Sequence, residues 1–171
     1  MVKVLTVFVI AIAAMFYFLR PSTTSPDPAT AFGSNSPGNL QRIASLPGEI
    51  GESSGIVTLN PNKQYLTHND AGNRPHLYKI NSKAEIEQTI KLNLPNVDWE
   101  DLAKDKDGNI YVADTGNNNN KRRELAIYKV NLDKPNSAQA IRFTYEDQKK
   151  YPPAKKDRNF DCEAIFWYGG N

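Results

Sequence analysis

The chain has 171 residues, 39% hydrophobic and 23% charged, which suits a single globular body better than a disordered or fibrous chain. Its formal charge of +2 comes from Lys3 and Arg20 in an acid-free start. The remainder carries 19 basic and 19 acidic side chains, so no basic surplus argues for a nucleic-acid partner.

Residues 4–19 form a 16-residue apolar run between Lys3 and Arg20. As a helix it would be about 24 Å long, a little short of a ~30 Å hydrocarbon core. A positive start before an apolar core has the form of a secretory signal, but the run ends in bulky residues with no small-residue cleavage site. Ala29-Thr30-Ala31 has suitable chemistry but lies too far downstream, and no cysteine follows the run directly to take a lipid. The segment 1–20 therefore reads as an uncleaved signal anchor, with a cleaved signal peptide as the alternative. Either one places the body outside the cytoplasm, membrane-tethered or secreted. Residues 21–39 are dominated by Pro, Ser, Thr, Gly and Asn and have too few apolar side chains to offset ordering entropy, as expected of a flexible linker.

From Leu40 onward, short apolar stretches alternate with turn clusters. Strands are predicted at 42–46, 55–59, 64–68, 76–80, 87–92, 97–103, 110–113, 125–130 and 140–145. No stretch of the body shows helical periodicity over twelve or more residues, so the fold class is all-β: a sandwich, barrel or propeller. Asp105-Lys106-Asp107-Gly108 reads as a hairpin turn, because its glycine falls too early for an EF-hand loop.

Internal repetition decides among these architectures. Asp70-Ala71-Gly72-Asn73 returns 44 residues later as Asp114-Thr115-Gly116-Asn117. Leu77-Tyr78-Lys79-Ile80-Asn81 returns 50 residues later as Ile127-Tyr128-Lys129-Val130-Asn131. The difference is a six-residue insertion, mostly 119–124. Asp98-Trp99-Glu100-Asp101-Leu102-Ala103 matches Asp161-Cys162-Glu163-Ala164-Ile165-Phe166, and more weakly the stretch around Glu52. A period of about 40–50 residues with four strands in each unit is the signature of β-propeller blades.

The phrase 105–118, DKDGNIYVADTGNN, resembles the motif of NHL-repeat propellers. The Glu-bearing first strands are similar to those of the wider six-bladed group containing regucalcin/gluconolactonase-like and phytase-like proteins. The resemblance covers residues 40–171 and implies about two and a half blades, the N-terminal part of a longer ring. In gluconolactonase-like propellers an inner-strand Glu and channel Asp and Asn residues hold a divalent metal. The similar positions here are Glu52, Glu100 and Glu163.

The residues alone point the same way. Strand alternation puts Asp98 and Glu100 on the face opposite Trp99, and Asp161 and Glu163 on the face opposite Cys162. Carboxylates converging from successive units repel one another unless a cation joins them, and oxygen-only ligands suit Ca²⁺ or Mg²⁺, with Ca²⁺ the candidate cofactor. The competing reading is that each acid accepts hydrogen bonds from backbone N–H groups and braces the fold. In the two Asp-x-Gly-Asn corners, Asp70 and Asp114 cap turn amides while Gly72 and Gly116 supply positive φ.

His68, next to the Asp70 corner, is the base candidate if the site is catalytic, with a loop hydrogen-bonding role as the alternative. No Gly-x-Ser-x-Gly motif supports a serine triad. Cys162 is the only cysteine, which excludes an internal disulfide and a Cys-based zinc site. Its acidic neighbours disfavour the thiolate, so it reads as a small buried residue. Lys121-Arg122-Arg123 reads as a solvated loop tip.

Two functions follow. One is an extracytoplasmic binding or scaffold propeller presenting a face to a protein, glycan or small ligand. The other is a metal-dependent hydrolase of esters, lactones or phosphoesters acting at the channel carboxylates.

Overall fold

The computed structural model describes residues 42–61 and 63–169. The apolar run 4–19 and the linker 21–39 lie outside the described residues, so the expectations placed on them are not addressed. No helix among the described residues is long and apolar enough to cross a membrane.

The described body is all-β. Eight strands form two four-stranded antiparallel sheets, each in simple sequential order. The first sheet contains β1 (Ser53–Asn60), β2 (Gln64–Asn69), β3 (His76–Asn81) and β4 (Ile86–Lys91). The second contains β5 (Trp99–Lys104), β6 (Ile110–Asp114), β7 (Leu125–Val130) and β8 (Gln139–Phe143). Only two single-turn 3-10 segments, Gly48–Ile50 and Lys155–Asp157, interrupt this pattern. The predicted strands are recovered with ends shifted by a residue or two, except at 42–46. That segment is exposed and irregular and joins neither sheet, with Ile43 left 72% exposed.

Tight turns follow from local chemistry. Asp105 Oδ1 accepts the N–H groups of Asp107 and Asn109 at 3.0 and 2.8 Å. Its Oδ2 takes Asn109 Nδ2 at 2.8 Å and the Tyr111 hydroxyl at 3.1 Å. Gly108, at φ 84°, closes the β5–β6 hairpin in a conformation that a side chain would strain.

The main core lies between the sheets. Leu66, Leu77, Ile90 and Leu92 from the first half meet Trp99, Leu102, Ile110, Val112, Ala126, Tyr128 and Val130 from the second. Trp99 is fully buried, and its indole N–H donates to the Pro95 carbonyl at 2.9 Å, so its burial strands no polar group. A smaller cluster of Ile50, Tyr78 and Ile80, with Tyr65 and Ile86 against it, covers the other face of the first sheet.

The sheets approach most closely where β1 runs beside β5. The Ser54 hydroxyl donates to the Glu100 carbonyl at 2.6 Å, and Lys104 Nζ donates to the Thr58 carbonyl at 2.6 Å. A Cβ on Gly55 would lie 2.7 Å from both Asp101 Cα and Leu102 N, so only glycine allows this backbone contact. Gly55→Ala is therefore expected to lower unfolding stability by about 1–3 kcal/mol, the cost of overpacking against a main chain that cannot yield. Urea denaturation checks this, and an unchanged midpoint would contradict the contact.

Candidate functional site

Strand β5 carries a bulge at the point that matters most. Trp99 pairs with Asp114 and Asp101 pairs with Ala113, which leaves Glu100 as the extra residue. A bulge re-aims a side chain out of strict alternation. Here it presents the Glu100 carboxylate to acids from three parts of the chain. Carboxylate oxygens of Asp70, Asp98 and Glu100 lie within 4.8 Å of one another, and so do those of Glu100, Asp161 and Glu163. Glu100 is common to both groups. Asp70 follows the first sheet, Asp98 and Glu100 open the second, and Asp161 and Glu163 belong to the segment after it.

That last segment forms no strand but is held in place by the second sheet's Asp114–Asn120 turn. The Thr115 hydroxyl donates to the Cys162 carbonyl at 2.7 Å, and Asn117 Nδ2 donates to the Phe160 carbonyl at 2.9 Å. The Phe160 N–H donates to Asn120 Oδ1 at 3.0 Å. Asn117 and Asn120 are both buried, so a pair of side-chain amides substitutes for a strand ladder.

Hydrogen bonding sorts the acids into two classes. Asp114, 1% exposed, accepts the N–H groups of Asp98 and Val97 at 3.1 and 3.4 Å and pairs with Arg122 at 2.8 Å. Asp101 accepts the N–H groups of Leu102 and Ile165 at 2.7 and 2.9 Å. Asp161 accepts the Asn117 N–H, and Asp70 accepts the Ala71 N–H at 2.6 Å. For these four the bracing role holds. Asp98, Glu100 and Glu163 differ: among the described residues no backbone N–H is seen to brace their carboxylates, and Glu100 and Glu163 share a hydrogen bond with each other.

A carboxylate that is buried without donors resists ionisation. Burial first, then the charges of Glu163, Asp70 and Asp98 and a side-chain hydrogen bond with Glu163, push the Glu100 pKa up to about 8. Burial and the Asp70 charge also raise Asp98, against the opposing pull of Arg122. Glu163 is exposed, so the cluster opens to solvent on its side.

Gly116 forms the floor. A Cβ there would overlap the carboxylates of Glu100 and Asp98. The expectation of a positive φ holds at Gly72 and is corrected at Gly116, the second corner taking that conformation at Asn120. Clearance, not backbone geometry, selects glycine at 116.

The remaining candidates are placed as follows. Glu52 is exposed, accepts Asn73 Nδ2 at 2.5 Å and belongs to neither carboxylate group; the first unit contributes Asp70 instead. His68 is fully buried, edge-on to Trp99 with ring centroids 5.7 Å apart, and also lies outside both groups. Its Nδ1 meets the Asn69 carbonyl at 2.9 Å and so carries the proton, while Nε2 is buried without a partner. Cys162 is half-buried.

The basic triplet is not a uniformly solvated tip. Arg122 folds back to Asp114, and Arg123 sits over the Tyr151 ring at 4.7 Å. Sequence reasoning missed Asp70, Arg122 and the clearance at Gly116. The only visible signal was the insertion 119–124 that brings Arg122 back.

No known family model, curated protein or solved structure matches this chain.

Burial holds the His68 pKa below 6.5, outweighing the Asn69 carbonyl and the charges of Asp101 and Asp70. The unfolded chain then takes up this proton first as the pH falls. The His68 contribution is complete above pH 6.5 and is lost progressively below it. His68→Leu is expected to flatten that part of a stability–pH profile, and an unchanged slope would contradict the buried neutral ring.

Proposed function

We propose that the two sheets are adjacent blades of a β-propeller and that its carboxylate cluster binds a divalent cation of the Ca²⁺ class, as part of an extracytoplasmic binding module. The reading is carried by one observation: two carboxylate groups, Asp70 with Asp98 and Asp161 with Glu163, converge on the buried Glu100, and Asp98, Glu100 and Glu163 have no backbone N–H bracing them. Neighbouring acids in the same chain are fully braced, so hydrogen bonds were within reach of this architecture. Carboxylates kept without backbone donors, two of them left to share a proton, are compatible with a cation as the missing partner.

The donor set fits that partner. It consists of carboxylate oxygens alone, with no sulfur and no imidazole, which favours hard cations over zinc or copper. Glu100 would hold the ion together with Asp161 and Glu163 on the open side or with Asp70 and Asp98 on the other, Asp70 and Asp161 each offering a second carboxylate oxygen not engaged by a backbone N–H. A cation there supplies positive charge to oxygens of a ligand approaching from the open Glu163 side, which suits a carboxylate, phosphate or glycan. The four-strand meander of each sheet, the side-by-side first strands β1 and β5, and the repeated corners support the propeller reading. Binding is preferred to hydrolysis because His68, the base candidate, is sealed in the core beside Trp99. A tether through residues 4–19 would place the module outside the cytoplasm at a membrane.

Calcium is expected to raise the melting temperature of the full chain, and Glu100→Gln with Glu163→Gln to abolish that rise. Because Glu100 titrates at about 8, its proton competes with the ion, and the calcium effect strengthens as the pH is raised toward that value. Thermal melts across a pH series, with and without Ca²⁺, check both points. No shift at any pH would remove the cation from the reading.

A further inference from the structure

We infer that Arg122 is the positioning residue of the acidic site, a single guanidinium that ties together the two main-chain segments against which its carboxylates rest. The inference deepens the cation-binding reading and rests on it.

The geometry is specific. Arg122 Nη2 lies 2.8 Å from Asp114 Oδ1 and 3.1 Å from the Asp114 carbonyl, while Nη1 donates to the Gly116 carbonyl at 2.7 Å. Asp114 passes the restraint on, accepting the N–H groups of Val97 and Asp98 through its two oxygens. The Gly116 N–H closes the circuit by donating to the Asp98 carbonyl at 3.1 Å. One side chain thus fixes both the floor under Glu100 and the backbone that carries Asp98. Arg122 touches neither the Glu100 nor the Glu163 carboxylate through any hydrogen bond or ion pair. Its contribution is to hold them in register without neutralising them.

The first repeat has an arginine at its corner, Arg74, but it makes no such contact with Asp70 or Gly72. At the corresponding corner, Asn73 Nδ2 reaches Glu52 and the carbonyls of Asp70 and Ala71. Asp70 is thereby left facing the cluster, whereas its counterpart Asp114 is turned inward as an anchor. The insertion 119–124 accounts for this difference. Asn117 Oδ1 accepts the Arg122 N–H at 2.8 Å, and Asn120, at φ 52°, turns the chain back toward the sheet. The fork is essential to this role, because the two Nη atoms serve three acceptors within residues 114–116, and Asp114 and Gly116 then carry the restraint to Val97 and Asp98. A lysine ammonium keeps the charge but lacks that planar fork.

The test compares Arg122→Lys and Arg122→Gln with the full unmodified chain by Ca²⁺ titration and by amide hydrogen exchange at Asp98 and Gly116. Both variants are expected to lose about tenfold or more in Ca²⁺ affinity, the usual consequence of removing a group that orients ligands. Both are expected to exchange faster at these two amides, with circular dichroism and the exchange of core amides such as Leu66 and Val112 unchanged. Wild-type affinity and exchange in Arg122→Lys would overturn the proposal, because charge alone would then suffice. So would unchanged behaviour in both variants, or global unfolding of both together with Asp114→Asn, which would make Arg122 a folding residue. An unmodified chain that binds no Ca²⁺ would remove the cation reading instead, and amide exchange would still decide whether Arg122 ties the two segments.

Discussion

The close passage of β1 against β5 is the constraint on which the rest depends. At Gly55 the two backbones meet with no room for a methyl group, and the Ser54 hydroxyl reaches the Glu100 carbonyl. That contact brings the start of each sheet toward a common place. The bulge at Glu100 then turns its side chain into the space between them. Behind this line the apolar core around Leu66, Leu77, Trp99 and Val112 supplies the burial that offsets carboxylates held close together.

Electrostatics divides the same residue type into two roles. Asp101, Asp105 and Asp114 are enclosed by donors and stabilise turns and strand ends as charged groups. Asp98, Glu100 and Glu163 are not enclosed in this way, and their crowding around the buried Glu100 disfavours its ionisation. Without a cation the crowding is relieved by a proton on Glu100, shared with Glu163. On the proposed reading a cation would displace that proton and draw the carboxylates together.

Much of the fold was legible in the residues. Alternating apolar stretches located eight strands, and the Asp-x-Gly-Asn and Tyr-Lys-Ile/Val-Asn phrases identified two equivalent units, each of which proves to be a four-stranded meander. The segment 42–46 has strand-like composition but joins neither sheet, because composition does not say where the first strand begins. Strict alternation predicted the shared face of Asp98 and Glu100 by an argument that the bulge invalidates, although their carboxylates do meet. Asp70 and Glu52 could not be told apart in advance. Which of them faces the cluster depends on Asn73 capturing Glu52 at the rim, a three-dimensional choice. Gly116 looked like a turn glycine because sequence carries no record of what would collide with its Cβ. Arg122 looked like a loop charge because its partner Asp114 lies behind the corner that the insertion folds over.

The central claim is that Glu100 and Glu163 share a place a divalent cation is meant to fill. Proton release on adding Ca²⁺ to the weakly buffered full chain near neutral pH tests it most directly. Glu100 is held protonated there by burial and then by its neighbours, so binding is predicted to release protons in proportion to the calcium bound, and the release should vanish when Glu100 is replaced by glutamine. Addition of calcium with no protons released and no heat of binding would contradict the account.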